Sequence, residues 1–191
     1  MSENYPELDP LSAGLLQSVV DVARAIFGAA ASSVFLLDED ADELVFQSVS
    51  GEGEGELVGR RFPASAGIAG WVASTGEAMV VNDLQQDAAF DRGLAESTRY
   101  VPRSLMAAPL VHGERVLGVL EVLDPAPQSR SSLNELELLS MFARQAAAAL
   151  RVVMDRHPPG GRTRAGLDVD GRATALHLVQ SLQRLLETAP A

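Results

Sequence analysis

Three aspartates at alternate positions, Asp38, Asp40 and Asp42, occupy the first, third and fifth places of a calcium-loop pattern. That pattern also needs a glycine sixth and a bidentate glutamate twelfth. Here those places hold Glu43 and Val49, so the triplet is read as a solvated turn and no metal site is expected. His112, His157 and His177 lack the paired spacing of a zinc site or of a relay to a serine. No catalytic set emerges. The glycines at 51, 53 and 55 alternate with glutamates, whose carboxylates repel a phosphate, so that stretch is a loop and a poor phosphate cradle. One cluster has ligand-like chemistry. Residues 85–103 carry Phe90, Tyr100, Asp87, Asp91, Arg92 and Arg99 with few periodic apolar residues. An aromatic pair can stack on a planar ring while an arginine and a carboxylate fix its polar edge. A long irregular segment of this kind serves as a lid more often than as a scaffold, and its plainer reading is a solvated loop.

Composition narrows the chemistry further. The 191 residues hold no cysteine, which excludes disulfides, thiolate metal sites, cysteine nucleophiles and thioether-linked pigments. The 26 acidic and 15 basic side chains give a net charge of −11, which repels nucleic acid phosphate and anionic lipid, so no direct nucleic-acid partner is expected. The N-terminal stretch is acidic, without the basic-then-apolar order of a secretory signal, and no uninterrupted apolar run approaches membrane-spanning length. The expectation is a cytoplasmic protein with no membrane partner.

The elements that would position the cluster read as one core. Asp9 caps a helix with Pro10 at its first position, and Leu11, Leu15, Val19, Val22 and Ile26 fall along one face until Gly28. Two β-prone runs, 33–37 and 44–49, flank a charged turn as an antiparallel hairpin, the first run apolar on both faces and therefore central. Behind Ser65 as a cap, Ile68, Trp71, Val72 and Thr75 recur at helical spacing until Gly76, and Met79, Val80 and Val81 form a strand that stops at Asn82 and Asp83. Trp71 is expected in the core on that spacing. A second hairpin spans 105–111 and 116–123, turning at 112–115, with apolar residues on both faces of its returning strand. Two-sided burial requires layers above and below the sheet.

A capping-box sequence at 132–135 opens a long helix with two apolar sets. Leu136, Leu139, Ala143, Ala146, Leu150 and Val153 repeat at alternating threes and fours, and Leu138, Phe142, Ala149 and Val152 lie away from that seam. Such a helix can pack on its own sheet and still offer a face to another helix. The fold class is α+β, an antiparallel sheet with helices on both faces, over residues 10–153. A Pro/Gly/Arg-rich linker at 154–171 and an amphipathic tail helix at 172–188 follow.

The segment from Ser65 to Leu84, with Gly67, Gly70, Val72, Thr75 and Gly76, resembles the G-x-x-G-x-v-a-x-t-G pattern of the GAF domain, a family of small-molecule-sensing and dimerising regulatory modules. The resemblance continues through 104–110 and 113–120, which look like that family's paired late strands, and covers roughly residues 10 to 153. It implies a ligand between sheet and lid, nominating Asp83, Phe90, Arg92, Arg99 and Tyr100, with Trp71 in the pocket floor. A haem ligand, as in some members, would have to be His112, which a hairpin tip more simply leaves solvated. The N-K-x-n-F-x-x-x-D-E motif of cyclic-nucleotide-binding members is absent, and bilin attachment and methionine sulfoxide reduction both need cysteine. Two roles remain open, both non-enzymatic. One is a sensor with a small molecule in the lid pocket. The other is a ligand-free dimerisation or protein-docking module whose pocket its own side chains fill. The cofactor and the downstream protein partner are unknown. Apolar stripes left over on the helices at 10–27 and 132–153 lead to the expectation of a homodimer built on those helices.

Overall fold

The computed structural model describes residues 8–52, 57–85, 100–126 and 134–156, with side chains to 154 in the last helix. Phe90, Arg92, Arg99, Ser132 of the capping box, the linker beyond 156 and the tail helix at 172–188 lie outside the described residues. Helix α1 spans Pro10–Phe27, α2 Gly67–Thr75 and α3 Glu135–Arg156. The strands are β1 Ala31–Asp38, β2 Glu43–Gly51, β3 Arg61–Pro63, β4 Met79–Val81, β5 Leu105–His112 and β6 Arg115–Leu123. They form one antiparallel sheet in the order β3-β2-β1-β6-β5-β4, which makes β1 and β6 its centre.

Local chemistry starts and stops these elements. Asp9 Oδ1 accepts the amides of Leu11 at 3.0 Å and Ser12 at 3.2 Å, satisfying two of the donors that open α1. At α3 Asn134 caps, its Oδ1 accepting the Glu137 amide at 2.8 Å, so the helix begins at Glu135 rather than at Ser132. Helix α2 has no side-chain cap: Ala66 stands at the position next to the expected Ser65, which is exposed. Gly76 ends it with φ 69°, a conformation open to glycine at no steric cost.

Helices cover both faces of the sheet. On one, α1 and α3 pack Leu16, Val20, Phe27, Leu139 and Leu150 onto Val34, Leu120 and Val122. On the other, α2 packs Ile68 and Val72 onto Phe35, Phe46 and Val119. Two expected helix phases need correction. The buried stripe of α1 is Ser12, Leu16, Val19, Val20, Ala23 and Phe27, and Leu11 is exposed. Small residues at 12 and 23 let that side approach the sheet, and the leucine-rich flank turns outward. On α3 the seam set Leu139, Ala143, Ala146, Leu150 and Val153 is buried within the chain against the sheet and α1, so it is no free seam for a partner. The second set, Leu138, Phe142, Ala149 and Val152, is the one left partly or wholly exposed. Helix α1 is also long and apolar enough, by length and composition alone, to cross a membrane, with mean hydropathy 1.2 over 18 residues. Its buried residues serve the core described here.

The β1–β6 contact leaves no space for a side chain at Gly118. A Cβ there would stand 2.0 Å from the Phe35 carbonyl oxygen and 3.0 Å from the Leu36 Cα, both backbone atoms of the paired strand. Gly118→Ala is therefore expected to destabilise the domain by about 2–3 kcal/mol. Urea denaturation monitored by circular dichroism checks this, and an unchanged midpoint would refute it.

Candidate functional site

The returning strand β6 reads V-L-G-V-L-E-V-L, and its alternate residues Val119, Glu121 and Leu123 face the α2 side of the sheet. In the register Glu121 stands between Ser33 of β1 and Ala107 of β5. Ser33 is small, and a gap remains over this part of the sheet, beside Glu121. The gap is a cavity of about 120 Å³, lined by Ser33, Phe35, Phe46 and Glu121 from the sheet, by the start of α2 and by Tyr100. Phe35, Phe46 and Phe62 form its aromatic wall. Their ring centroids lie 4.2 Å (35 to 46), 5.4 Å (35 to 62) and 5.8 Å (46 to 62) apart, tilted or edge-on, as aromatic quadrupoles prefer.

Tight backbone packing places α2 over this cavity. A Cβ at Gly70 would lie 2.6 Å from the Ala64 carbonyl oxygen, and Gly67 takes φ 70°, so the turn into the helix is built on glycine. Because no side chain caps α2, the amides of Gly67, Ile68 and Ala69 have no acceptor among the described residues, and all three residues line the cavity.

Glu121 is the chemical exception in this surface. It is buried, at 8% exposure, no hydrogen bond or cation of the described residues acts on its carboxyl, and its oxygens open onto the cavity. Burial in apolar surroundings pushes the carboxyl up to about 8, so it is mostly protonated at neutral pH.

The cavity mouth is held by a second acid. Asp124 Oδ1 accepts the amides of Arg103 and Ser104, each at 2.9 Å, and its Oδ2 accepts the Tyr100 hydroxyl. Burial pushes the Asp124 carboxyl up, and the hydrogen bonds from Tyr100, Ser104 and Arg103 outweigh it, leaving it below its ordinary value. Burial, then the bond to Asp124 and the negative charges of Asp124 and Glu52, raise the Tyr100 hydroxyl above its usual range. The Tyr100 ring thus offers a wall while its hydroxyl is committed to Asp124.

Of the six residues nominated from sequence, the structure sets only Tyr100 on the cavity; Phe90, Arg92 and Arg99 lie outside the described residues. Trp71 is not in the core and does not line the cavity. It is 38% exposed, because α2 buries Ile68, Ala69, Val72 and Ala73 and so turns position 71 outward. Truncating Trp71 therefore removes no fully buried ring. Asp83 is exposed beyond β4, accepting the Gln85 amide at 3.1 Å, and does not line the cavity. Asp38, read as part of a solvated turn, is paired with Arg61, which also reaches Glu43 at 2.6 Å and ties β3 to the first hairpin. Glu121 was missed. Its signal was available, as a lone acid within a run otherwise apolar on both faces.

The GAF domain family profile matches residues 13–150. The chain belongs to the GAF domain family. Such domains are regulatory and sensory modules of signalling proteins. Among curated proteins, this GAF domain is 34% identical over 91 residues to the mouse cone cGMP-specific 3',5'-cyclic phosphodiesterase subunit alpha', a match covering 48% of this chain and 11% of the phosphodiesterase. The chain thus spans about a tenth of the curated relatives it matches. Among solved structures, the GAF domain of a phosphoenolpyruvate-protein phosphotransferase from Coxiella burnetii superposes with TM-score 0.67 at 19% identity, covering 79% of this chain and 89% of that one. The GAF-B domain of DevS from Mycobacterium smegmatis gives 0.60 at 21% identity, covering 76% and 96%. At these identities the likeness is one of fold.

The raised carboxyl of Glu121 makes stability depend on pH. The folded state holds its proton more tightly than the unfolded chain, whose glutamates titrate near 4.5. The stabilisation is therefore complete below about 4.5 and is lost as pH rises through about 8. Asp124, lowered, stays ionised over this window and Tyr100, raised, stays protonated, so neither masks the effect. The loss amounts to about 3–5 kcal/mol. Glu121→Gln is expected to flatten this fall in stability between about pH 5 and pH 9. Urea titrations of both proteins across that range measure it, and parallel curves would refute it.

Proposed function

We propose that the chain is a non-enzymatic GAF-type sensory module of cytoplasmic signal transduction. In this reading it binds a small molecule in the cavity between the sheet and α2 and passes the change on through its helices. The observation that carries the reading is a cavity in the middle of the second core, where a ligand-free domain gains by filling the space with side chains. Its apolar walls, with a few polar groups gathered at one place, suit a small organic molecule. The relatives include cGMP-specific phosphodiesterases, and a cyclic nucleotide is the weaker choice for this chain. The described lining residues contribute the acidic side chains Glu52 and Glu121 and no lysine, arginine or histidine for a phosphate.

The second part of the proposal is a homodimer on the helical side of the sheet. Leu11 at 38%, Met141 at 49% and Val152 at 53% exposure, with the half-buried Leu15, Leu138 and Phe142, leave apolar surface on α1 and α3. A ligand-free docking module rests on the same surface and would need no cavity.

Native mass spectrometry of protein purified from its host separates the two readings. The sensor is expected to retain a bound small molecule that is lost in Ser33→Phe, which fills the cavity. A bare polypeptide mass in the wild type, with no thermal shift from any metabolite tried, would leave the docking module. For the dimer, Met141→Glu with Val152→Glu is expected to give a folded monomer by light scattering, since both positions are exposed within one chain. Leu139→Glu with Leu150→Glu is expected to unfold the domain instead, because both leucines are fully buried in the single chain. A wild type already monomeric at high micromolar concentration refutes the dimer.

A further inference from the structure

The proposed sensor reading leaves the chemical class of its ligand open, and the charges around the cavity narrow it. Glu121 is the one buried acid of the described sheet, its carboxyl lines the cavity, and no hydrogen-bond donor or cation of the described residues meets it. A buried polar group without a partner costs free energy unless a ligand supplies the missing interaction. The groups around it carry the same sign. Glu52 lies on the cavity lining, and Asp124 is bonded to the Tyr100 hydroxyl at its edge. The opposing element is the uncapped start of α2, which contributes only about half a positive charge spread over its first turn. Among the described lining residues no basic side chain offsets the acids. Below them stands the wall of Phe35, Phe46 and Phe62. A volume of about 120 Å³ is close to the ~150 Å³ apolar cavity that takes up benzene, so the ligand's body is about one ring in size.

We infer that the cavity selects a small organic ammonium ligand, with Glu121 as its counter-ion and the phenylalanine wall as the seat of its apolar body. This rests on the sensor reading above and adds to it the sign of the ligand's charge. Binding transfers the Glu121 proton to solvent, leaving a carboxylate paired with the ligand's N–H⁺. The energetic logic follows from desolvation. Folding has already buried the acid, so the ligand meets a preformed partner and pays for its own desolvation and, below about pH 8, for removing the Glu121 proton. Burial holds the Glu121 carboxyl protonated to about pH 8, so affinity for a cation rises with pH until the acid is ionised. Of the other titratable groups near the cavity, Asp124 is lowered and Tyr100 raised, so both keep one charge state through this rise, and Glu52 stays at the exposed mouth.

A matched set of probes tests the inference on the full chain: benzylamine, benzyl alcohol and benzoate, which share a ring and differ in charge. Titrations followed by amide chemical shifts are expected to move Ser33, Phe46 and Ala107 with benzylamine. Benzyl alcohol should bind at least about tenfold more weakly and benzoate not at all. Benzylamine affinity should rise up to about tenfold per pH unit between pH 6 and pH 8. In Glu121→Gln that dependence should vanish and benzylamine should fall to the level of benzyl alcohol. Benzyl alcohol or benzoate binding the wild type as tightly as benzylamine overturns the charge assignment and leaves the cavity reading standing. So does benzylamine binding that is unchanged in Glu121→Gln. Absence of any shift near the cavity with all three probes at about 10 mM overturns both.

Discussion

Strand β6 is covered on both faces, so the inner part of the sheet depends on residues that do without water. Val122 and Leu120 go to the α1–α3 side, and Val119 and Leu123 to the α2 side. The strand can come close enough to β1 for this only because position 118 has no side chain to strike the Phe35 carbonyl. From that pairing follow the central place of β1, the separation of the two cores and the position of the carboxyl at 121. An acid at this point of the fold meets solvent only through the cavity and accepts no hydrogen bond from the described residues, the Ser32 hydroxyl being given to the Glu121 carbonyl oxygen. Replacing it by an apolar residue would be the simpler solution for stability alone.

Much of the architecture was legible because its signals are local. Asp9 and Gly28 bound α1, the charged stretch after Asp38 turns the first hairpin, and His112 to Arg115 turns the second. These depend on residues a few positions apart, whose geometry is set before any tertiary contact forms. The phases of the helices were less legible. Both α1 and α3 have apolar residues on two sides, and periodicity cannot say which side the sheet will take. Packing decided it, burying sides that mix large residues with small ones: Leu16, Val20 and Phe27 with Ser12 and Ala23 in α1, Leu139 and Leu150 with Ala143, Ala146 and Ala147 in α3. Trp71 failed for the same reason, since Ala69, Gly70 and Ala73 give α2 a side that fits closer to the sheet than an indole could.

The candidate cavity was only partly legible in the sequence. Of the segment 85–103 read as a lid, the described residues Tyr100 and Pro102 line the cavity. The residues that make the cavity distinctive were unremarkable as types, because Ser33 matters by being small and Glu121 by its neighbours across two strand pairings. Register is not a property of either strand alone. An acid within a strand that is apolar on both faces is nonetheless a signal that a sequence can give without any register, and it identifies Glu121.

The clasp at the cavity's edge has a consequence for how such a domain can diversify. The Leu84 amide donates to the Arg103 carbonyl at 2.9 Å, and Tyr100 and Ser104 are bound to Asp124 at the end of β6. Both ends of the interval between Gln85 and Tyr100 are therefore fastened to the same corner of the sheet, independently of what lies between them. What this fixes is the span between the two ends: any sequence placed between Gln85 and Tyr100 must leave from and return to the same corner of the sheet, beside the cavity edge.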